Sequence, residues 1–444
     1  METKVETFQE NQIGGCITAI TYTSGNQTNR IMIDYGCSLS GSENKEEFKY
    51  PWNEKPVDAI FFTHYHGDHV GRIMEIPDNI PIYMGETSRK VMINIYTALS
   101  RQTDKEGKEY KKQLELLQND ERIHTFRWNG TQYDAIEDIS NFRIEPYSVD
   151  HSAYDAYMFL IETPDDTKPV GKKVILHTGD FRGHGRLGKA VIPMINTYIR
   201  KHGKRSVDAM IIEGTMMSRK QEKVLTEYQL QMVATQYLKK HKYAFLICSS
   251  TNLDSLASFY QAAQKASDNH KRYMYTYSGY VKQQLKTFSE TAGRFSKVYK
   301  FKYIDQLNFN KTYIHKKWDR PMPQKELMNQ YGFIALIKPE DFCEKYIDEF
   351  LDRKPVIIYS MWDGYLDSDN KACNESWIQF LERQKSKGIE VKHLHTSGHA
   401  TVKLLTEVIK KVNPQEEIIP IHTEYKEGFE ELEIGEKFKM RIRR

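Results

Sequence analysis

No two cysteines are spaced as C-x-x-C. Cys16, Cys37, Cys248, Cys343 and Cys373 are odd in number and far apart. That pattern suggests neither a disulfide framework nor a thiolate zinc site, so any metal is expected to be held by histidine and carboxylate side chains. Long apolar runs are also missing. Nothing approaches the roughly 18 to 20 residues that cross a bilayer, and the first residues, METKVET, contain no apolar signal core. A soluble, cytoplasmic protein that stays off membranes is the expectation. Nor is there an excess of one charge: 64 Lys and Arg stand against 60 Asp and Glu in 444 residues. This excludes a strongly basic tail protein and an acidic solvating chain. What is present is apolar material, 39% hydrophobic and 12% aromatic, enough to build real cores in two or three domains and to exclude general disorder.

The first part of the chain reads as β-rich. A hairpin is predicted from Cys16 to about Thr23 and Arg30 to Tyr35, turning at Ser24-Gly-Asn. Strand-like runs follow at Val57 to Thr63, Phe142 to Val149, Ala156 to Ile161 and Lys173 to His177, with helical patterns at Ser88 to Leu99 and Lys105 to Leu117. From about Glu213 the rhythm changes. A helical pattern over Glu222 to Lys240 leads into strands at Ala244 to Cys248, Tyr273 to Tyr277, Phe333 to Lys338 and Val356 to Tyr359, alternating with helices. Strands separated by helices of ten or more residues imply βαβ units and a parallel sheet. The final stretch holds strand-like runs at Glu390 to His395 and Glu417 to His422 around a helix at Ala400 to Val412. With no low-complexity linker, the middle domain reads as an insertion at 216–388 into a core formed by 1–215 and 389–444.

The densest chemical signal is Thr63-His64-Tyr65-His66-Gly67-Asp68-His69, directly after the apolar run Val57 to Phe62. Residues i and i+2 of an extended chain project to one side, so His64 and His66 can share an ion. Gly67 permits a sharp turn, after which Asp68 and His69 can face a second ion. Three imidazoles and a carboxylate suit zinc, with manganese as the alternative at such nitrogen and oxygen donors.

This HxHxDH pattern, in a strand-to-helix context, resembles the signature of the metallo-β-lactamase superfamily. The resemblance implies an α/β fold of αββα sandwich type and supplies the rest of a metal set. His151, in Val149-Asp-His-Ser, looks like the third-motif ligand, and Asp180, in His177-Thr-Gly-Asp, like the carboxylate that bridges two metals. Asp34, ending Ile31-Met-Ile-Asp, resembles the first-motif aspartate, which orients ligands without binding metal. Taken singly, each is as readily a hydrogen-bonded strand-end residue; their order along the chain is what joins them.

Three further motifs resemble the β-CASP branch, nucleases with a parallel-sheet α/β domain inserted into that core. Glu213 stands at motif A, His399 in His395-Thr-Ser-Gly-His at motif B, and His422 in Ile419-Pro-Ile-His at motif C. RNA-processing members such as ribonuclease J and the pre-mRNA 3′-end endonuclease carry His at motif C, whereas DNA-repair members such as Artemis carry an apolar residue; His422 therefore favours RNA. With about twenty residues after His422, the chain is expected to lack the extra carboxy-terminal domain that ribonuclease J uses in self-association.

The near-neutral charge is uneven. Lys271 to Arg320 carries twelve Lys and Arg against Glu290, Asp305 and Asp319, a balance of +9 that leaves −5 for the remainder. The same window holds Tyr273, Tyr275, Tyr277, Tyr280, Tyr299, Phe301, Tyr303 and Trp318. Basic groups interleaved with aromatics can track a phosphate backbone and stack on bases. Tyrosines at period two equally form the packed face of a strand.

Together these features imply a metal-dependent ribonuclease of single-stranded RNA, exonuclease or endonuclease, with two zinc ions and a hydroxide activated between them. The expected ligands are His64, His66, His151 and Asp180 for one ion and Asp68, His69, Asp180 and His422 for the other. Asp68, Glu213 and His399 are the expected catalytic groups, and Ser397, Gly398 and His399 the expected substrate contacts. A homodimer is compatible with this reading. The rivals are a DNA nuclease of the same fold and a non-catalytic RNA-binding subunit.

Overall fold

The computed structural model describes the chain outside residues 40–47, 128–135, 220–223, 268–271, 295, 316–319 and 444. It divides into two compact units, Met1–Val224 with Gly398–Arg444, and Leu225–Ser397.

The first unit contains two six-stranded sheets. One runs in the order Glu2–Phe8, Ile17–Ser24, Gln27–Tyr35, Ala59–Phe61, Ile82–Gly85 and Ile123–Phe126, antiparallel over its first three strands and parallel thereafter. The hairpin between the second and third strands pairs Ser24 with Gln27. The other sheet runs Glu417–Ile421, Ala209–Glu213, Lys172–His177, Ala156–Pro164, Phe142–Val149 and Ile136–Ile139, so the last strand of the chain completes a sheet begun almost 300 residues earlier. Ile20, Ile31, Ile33 and Phe61 of the first sheet meet Phe159, Ile161, Ile175, Ile211 and Ile419 of the second in one core. Alternate residues of the second sheet, Met158, Leu160, Leu176, Met210 and Ile418, face a second core built with helix Val402–Val412. These strands are buried on both faces, which is why they read as continuous apolar runs.

Helix Val402–Val412 sits where its pattern dictates. Leu405, Val408, Ile409 and Val412, spaced as one helical face, are all buried, and the Thr401 hydroxyl accepts the Leu404 amide at its start. Each such side chain contributes about 1.5 to 3 kcal/mol by leaving water. Helix Glu86–Leu99 packs on strand Ile82–Gly85 and on helix Lys105–Asn119. The arrangement is the helix, sheet, sheet, helix sandwich that the resemblance implies. Strand Glu2–Phe8 escaped the sequence reading because only Val5 of its seven residues is buried.

The second unit has a six-stranded, wholly parallel sheet in the order Ile304–Gln306, Tyr273–Thr276, Phe333–Ile337, Tyr243–Cys248, Val356–Ser360 and Glu390–His393. Helix Glu227–Lys240 leads into its first strand, and helices such as Leu253–Lys265 and Gly279–Thr291 connect its strands, as the alternation predicted. A two-stranded hairpin, Thr312–His315 with Arg320–Pro323, was not anticipated.

The units change at Leu225 and Gly398, nine residues beyond the expected 216 and 389. Two observations account for this. Met217 lies in the second core of the first unit beside Phe429, so the chain has not yet left that unit. Strand Glu390–His393 pairs with Val356–Ser360 and so belongs to the second sheet. A strand-like pattern cannot say which sheet edge it joins.

The aromatic window resolves mainly as core. Tyr275 and Phe288 are at most 1% exposed, and Tyr299 and Phe301 are buried as well. Tyr273 and Tyr277 pack against the Tyr275 cluster, and the Tyr299 hydroxyl donates to Asp254 at 2.6 Å. Lys282 pairs with Asp305 at 2.6 Å, while Lys286, Lys297, Lys300 and Lys302 are exposed. Trp318, Lys271 and Asp319 lie outside the described residues.

Candidate metal centre

The candidate residues of the first unit stand at the carboxy-terminal ends of its strands. Glu213 closes Ala209–Glu213, and His422 follows Glu417–Ile421. His64, His151 and Asp180 come two or three residues after Ala59–Phe61, Phe142–Val149 and Lys172–His177. Backbone geometry turns some of them inward. Asp34 occupies a bulge, where pairing skips from Ile17–Tyr35 to Thr18–Ile33, and has φ +61°; His422 has φ +52°. Left-handed conformations at non-glycine residues are costly and concentrate at functional sites. Asp68 and His69 lie in the short helix Gly67–Val70. That turn rests on the first sheet: Cys37 N donates to Gly67 O at 3.0 Å and Cys16 N to Asp68 O at 3.0 Å. A side chain on Gly36 would overlap the Asp68 carbonyl, so the close approach requires glycine there.

His64, His66 and His151 form one group, their donor atoms within 4.8 Å of one another. His151 Nδ1 donates to the Gly398 carbonyl at 2.7 Å, which leaves its Nε2 facing His66 Nδ1 at 3.3 Å. Thr63 Oγ1 donates to Asp34 Oδ2 at 2.8 Å and lies 3.1 Å from His64 Nδ1. With Nδ1 engaged there, His64 Nε2 is buried and has no hydrogen-bond partner.

The second group is built around His69, whose Nδ1 donates to Asp34 Oδ2 at 2.8 Å. Its Nε2 lies 3.1 Å from Asp180 Oδ2 and 3.8 Å from Asp68 Oδ2. His422 Nε2 is 3.1 Å from the same Asp68 oxygen. His64, His69 and Asp180 also form a set with donor atoms within 4.8 Å, which joins the two groups. Asp180 Oδ1 is buried without a hydrogen-bond partner, 3.8 Å from His422 Nδ1.

His399 stacks on His422, with ring centroids 5.4 Å apart, and its Nδ1 is 3.5 Å from Glu213 Oε2. Glu213 is fully buried and accepts two backbone amides, Ala400 N at 2.9 Å and Thr215 N at 3.0 Å. It thereby ties the backbone next to His399 to the end of its own strand.

The two groups differ electrostatically. Burial depresses His64 and His151 well below the usual imidazole range, with neighbouring imidazoles adding to the effect, and brings His66 down to about 4. Burial also opposes charge on His69 and His422. There, however, Cys16 and the carboxylates of Asp180 and Asp68, joined at His69 by Asp34, raise both well above that range. Burial would raise Asp68 and Asp180, but the adjacent imidazoles, His69 and His422 foremost, hold both well below the ordinary carboxylate range.

These residues fit divalent cations. Buried polar atoms are normally paired, yet His64 Nε2 and Asp180 Oδ1 are not, and each belongs to a cluster of nitrogen and oxygen donors suited to such an ion. Every expected ligand, together with Asp34, Glu213 and His399, falls in this neighbourhood. Ser397 is buried at the end of the second unit, and Gly398 offers its carbonyl to His151. Sequence reasoning missed Thr63, Thr215 and Cys16. Thr215 Oγ1 lies 2.7 Å from His422 Nδ1 and 3.1 Å from His399 Nδ1; its only signal was its place two residues after Glu213. Cys16 Sγ lies 3.8 Å from His69 Nε2, and its isolation among the cysteines concealed it.

Residues 15–128 match the family model of the metallo-β-lactamase superfamily. Residues 388–439 match that of the Zn-dependent metallo-hydrolase RNA specificity domain. No curated protein sequence matches the chain. Among solved structures, a protein of unknown function from Enterococcus faecalis V583 aligns over 96% of each chain at 18% identity, with a TM-score of 0.63. MEM-A1, a subclass B3 metallo-β-lactamase from a soil metagenome library, covers 47% of this chain and 75% of its own at 14% identity and TM-score 0.28. BJP-1, a subclass B3 metallo-β-lactamase of Bradyrhizobium japonicum, covers 46% and 76% at 14% identity and TM-score 0.26. The chain therefore carries a metallo-β-lactamase superfamily domain and, near its end, an RNA specificity domain, the pairing typical of the β-CASP nuclease branch.

Proposed function

We propose that this chain is a metal-dependent ribonuclease that hydrolyses phosphodiester bonds in single-stranded RNA, with Leu225–Ser397 as its β-CASP domain. One observation carries the reading: the stretch matching the RNA specificity domain contributes His399 and His422 to the cluster that holds His64, His66, His69 and Asp180. His64, His66, His151 and Asp180 would hold one ion, and Asp68, His69, Asp180 and His422 the other. Bound divalent cations supply a nucleophile from water at neutral pH and neutralise charge on phosphoryl oxygens.

The chain's own groups divide the remaining work. The His399 side chain is 22% exposed against 1% for His422, so His399 is the imidazole that substrate reaches. Its Nδ1 lies 3.1 Å from Thr215 Oγ1, and its imidazole would bind a phosphate oxygen or protonate the departing one. Glu213 fixes the backbone on which His399 rides, and Asp34 and the Gly398 carbonyl orient His69 and His151.

The test is hydrolysis of RNA by purified protein supplied with zinc or manganese. Single-stranded RNA should be degraded, and His66→Ala or Asp180→Ala should abolish the activity. Product sizes on 5′-phosphorylated, 5′-hydroxylated and circular RNA distinguish exonuclease from endonuclease action. Metal-replete protein that cleaves only a small ester or lactone overturns the proposal. Preference for DNA of the same sequence points to a DNA nuclease, and RNA binding without cleavage to a binding subunit.

A further inference from the structure

We infer that Cys16 is a metal ligand, so that the ion beside His69 and His422 is held by a thiolate as well as by imidazole and carboxylate. This rests on the metal-centre reading above and changes its donor set. Cys16 Sγ, a nitrogen of His69 and a nitrogen of His422 all lie within 4.8 Å of one another. Zinc bonds to sulfur and imidazole nitrogen place two tetrahedral donors about 3.6 Å apart, and Cys16 Sγ is 3.8 Å from His69 Nε2. The correct nitrogen is presented, because His69 Nδ1 is committed to Asp34 at 2.8 Å.

Carboxylate oxygens flank the same two imidazoles. Asp180 Oδ1 is buried with no hydrogen-bond partner, 3.8 Å from His422 Nδ1, and the other Asp180 oxygen is 3.1 Å from His69 Nε2. Asp68 Oδ2, 3.1 Å from His422 Nε2 and 3.8 Å from His69 Nε2, completes a set of one thiolate, two imidazoles and two carboxylates. Cys16 is held in place by its backbone: its amide donates to Asp68 O at 3.0 Å and its carbonyl accepts Gly36 N at 3.2 Å. The sulfur is buried and forms no disulfide. On metal binding the thiol gives up its proton to solvent and the sulfur takes the ion.

The consequence is selectivity. A thiolate favours zinc or cobalt over manganese, whereas an all-imidazole and carboxylate site discriminates less. The probe is cobalt(II) titrated into metal-free full-length protein, followed by absorption and by metal content. Wild type should bind two equivalents and show a near-ultraviolet thiolate-to-cobalt charge-transfer band. Cys16→Ser should lose the band and bind the second equivalent at least about tenfold more weakly, with manganese affinity falling less than zinc affinity. Cys37→Ser should keep the band. Two bound equivalents in wild type without a charge-transfer band overturn the Cys16 assignment and leave the metal centre standing. A wild type that binds no cobalt overturns both. The wild-type spectrum decides the matter even if Cys16→Ser fails to fold.

Discussion

His151 Nδ1 donates its proton to the carbonyl of Gly398 at 2.7 Å, joining residues 247 positions apart in the chain. The bond selects the tautomer in which Nε2 carries the lone pair toward His66. It also makes Gly398 part of the centre through its backbone alone. A Cβ at position 398 would stand 2.5 Å from Ser152 Oγ and 3.4 Å from His151 Cε1. Gly398→Ala should therefore weaken metal affinity by about 10- to 100-fold. Chelator competition measures this, and adding Ser152→Gly should recover part of the loss, because it removes the atom that the new methyl group meets.

Asp34 tests orientation without ligation. Its two oxygens accept Thr63 N, Thr63 Oγ1 and His69 Nδ1, each at 2.8 Å. Asn at this position keeps the shape but supplies one acceptor where two are used, and its amide hydrogens face other donors. Asp34→Asn is expected to reduce metal affinity or activity by about 10- to 100-fold while leaving a folded protein. An unchanged metal-binding isotherm would contradict the role assigned to Asp34.

Thr215 couples the two carboxy-terminal histidines. Thr215→Val preserves volume and removes the oxygen that lies near both His422 Nδ1 and His399 Nδ1. RNA hydrolysis is expected to drop by about 10- to 100-fold, and Thr215→Ser should restore much of it. Equal activity of the Val and wild-type proteins would rule out positioning by the hydroxyl.

Asp155 gives a pH signature away from the ligands. Burial pushes its carboxyl up to about 7, although Tyr157 OH and Ser88 N donate to it at 2.6 and 2.8 Å. A carboxyl that keeps its proton longer in the folded than in the unfolded chain favours folding fully below the unfolded value of about 4. That contribution is lost as pH rises through about 7. In metal-free protein, the stability of wild type relative to Asp155→Asn should thus fall between about pH 4 and pH 7. Denaturant melts across that range supply the measurement; a constant difference would contradict it.

Much of the centre could be read from spacing alone. His64, His66, Asp68 and His69 share one turn, and such local geometry follows from the period of an extended chain and a glycine. His151, Asp180, Glu213, His399 and His422 were found only through the resemblance of their short motifs, in their order along the chain, to the metallo-β-lactamase superfamily and its β-CASP branch. Cys16 and Thr215 were not, since a lone cysteine and a threonine in a turn carry no pattern; only pairing across distant strands brings each to an imidazole. The tyrosines of 273–277 show the opposite failure. Their period was correct, but whether it meant a packed face or a stacking platform depended on what covered it, and Tyr275 is covered.

Local chemistry thus settled most of the elements, which residues carry nitrogen and oxygen donors, and in what order they occur, because hydrophobic period and turn residues act over a few positions. Three matters waited for tertiary structure. The edge joined by Glu390–His393 depends on which sheet has an unpaired row of backbone groups. The tautomers of His69 and His151 depend on partners at Asp34 and Gly398, far away along the chain. The presence of sulfur at the centre depends on the backbone hydrogen bond that lays Cys16 against Asp68 of the short helix Gly67–Val70. Each is a contact between distant segments, and no local pattern encodes it.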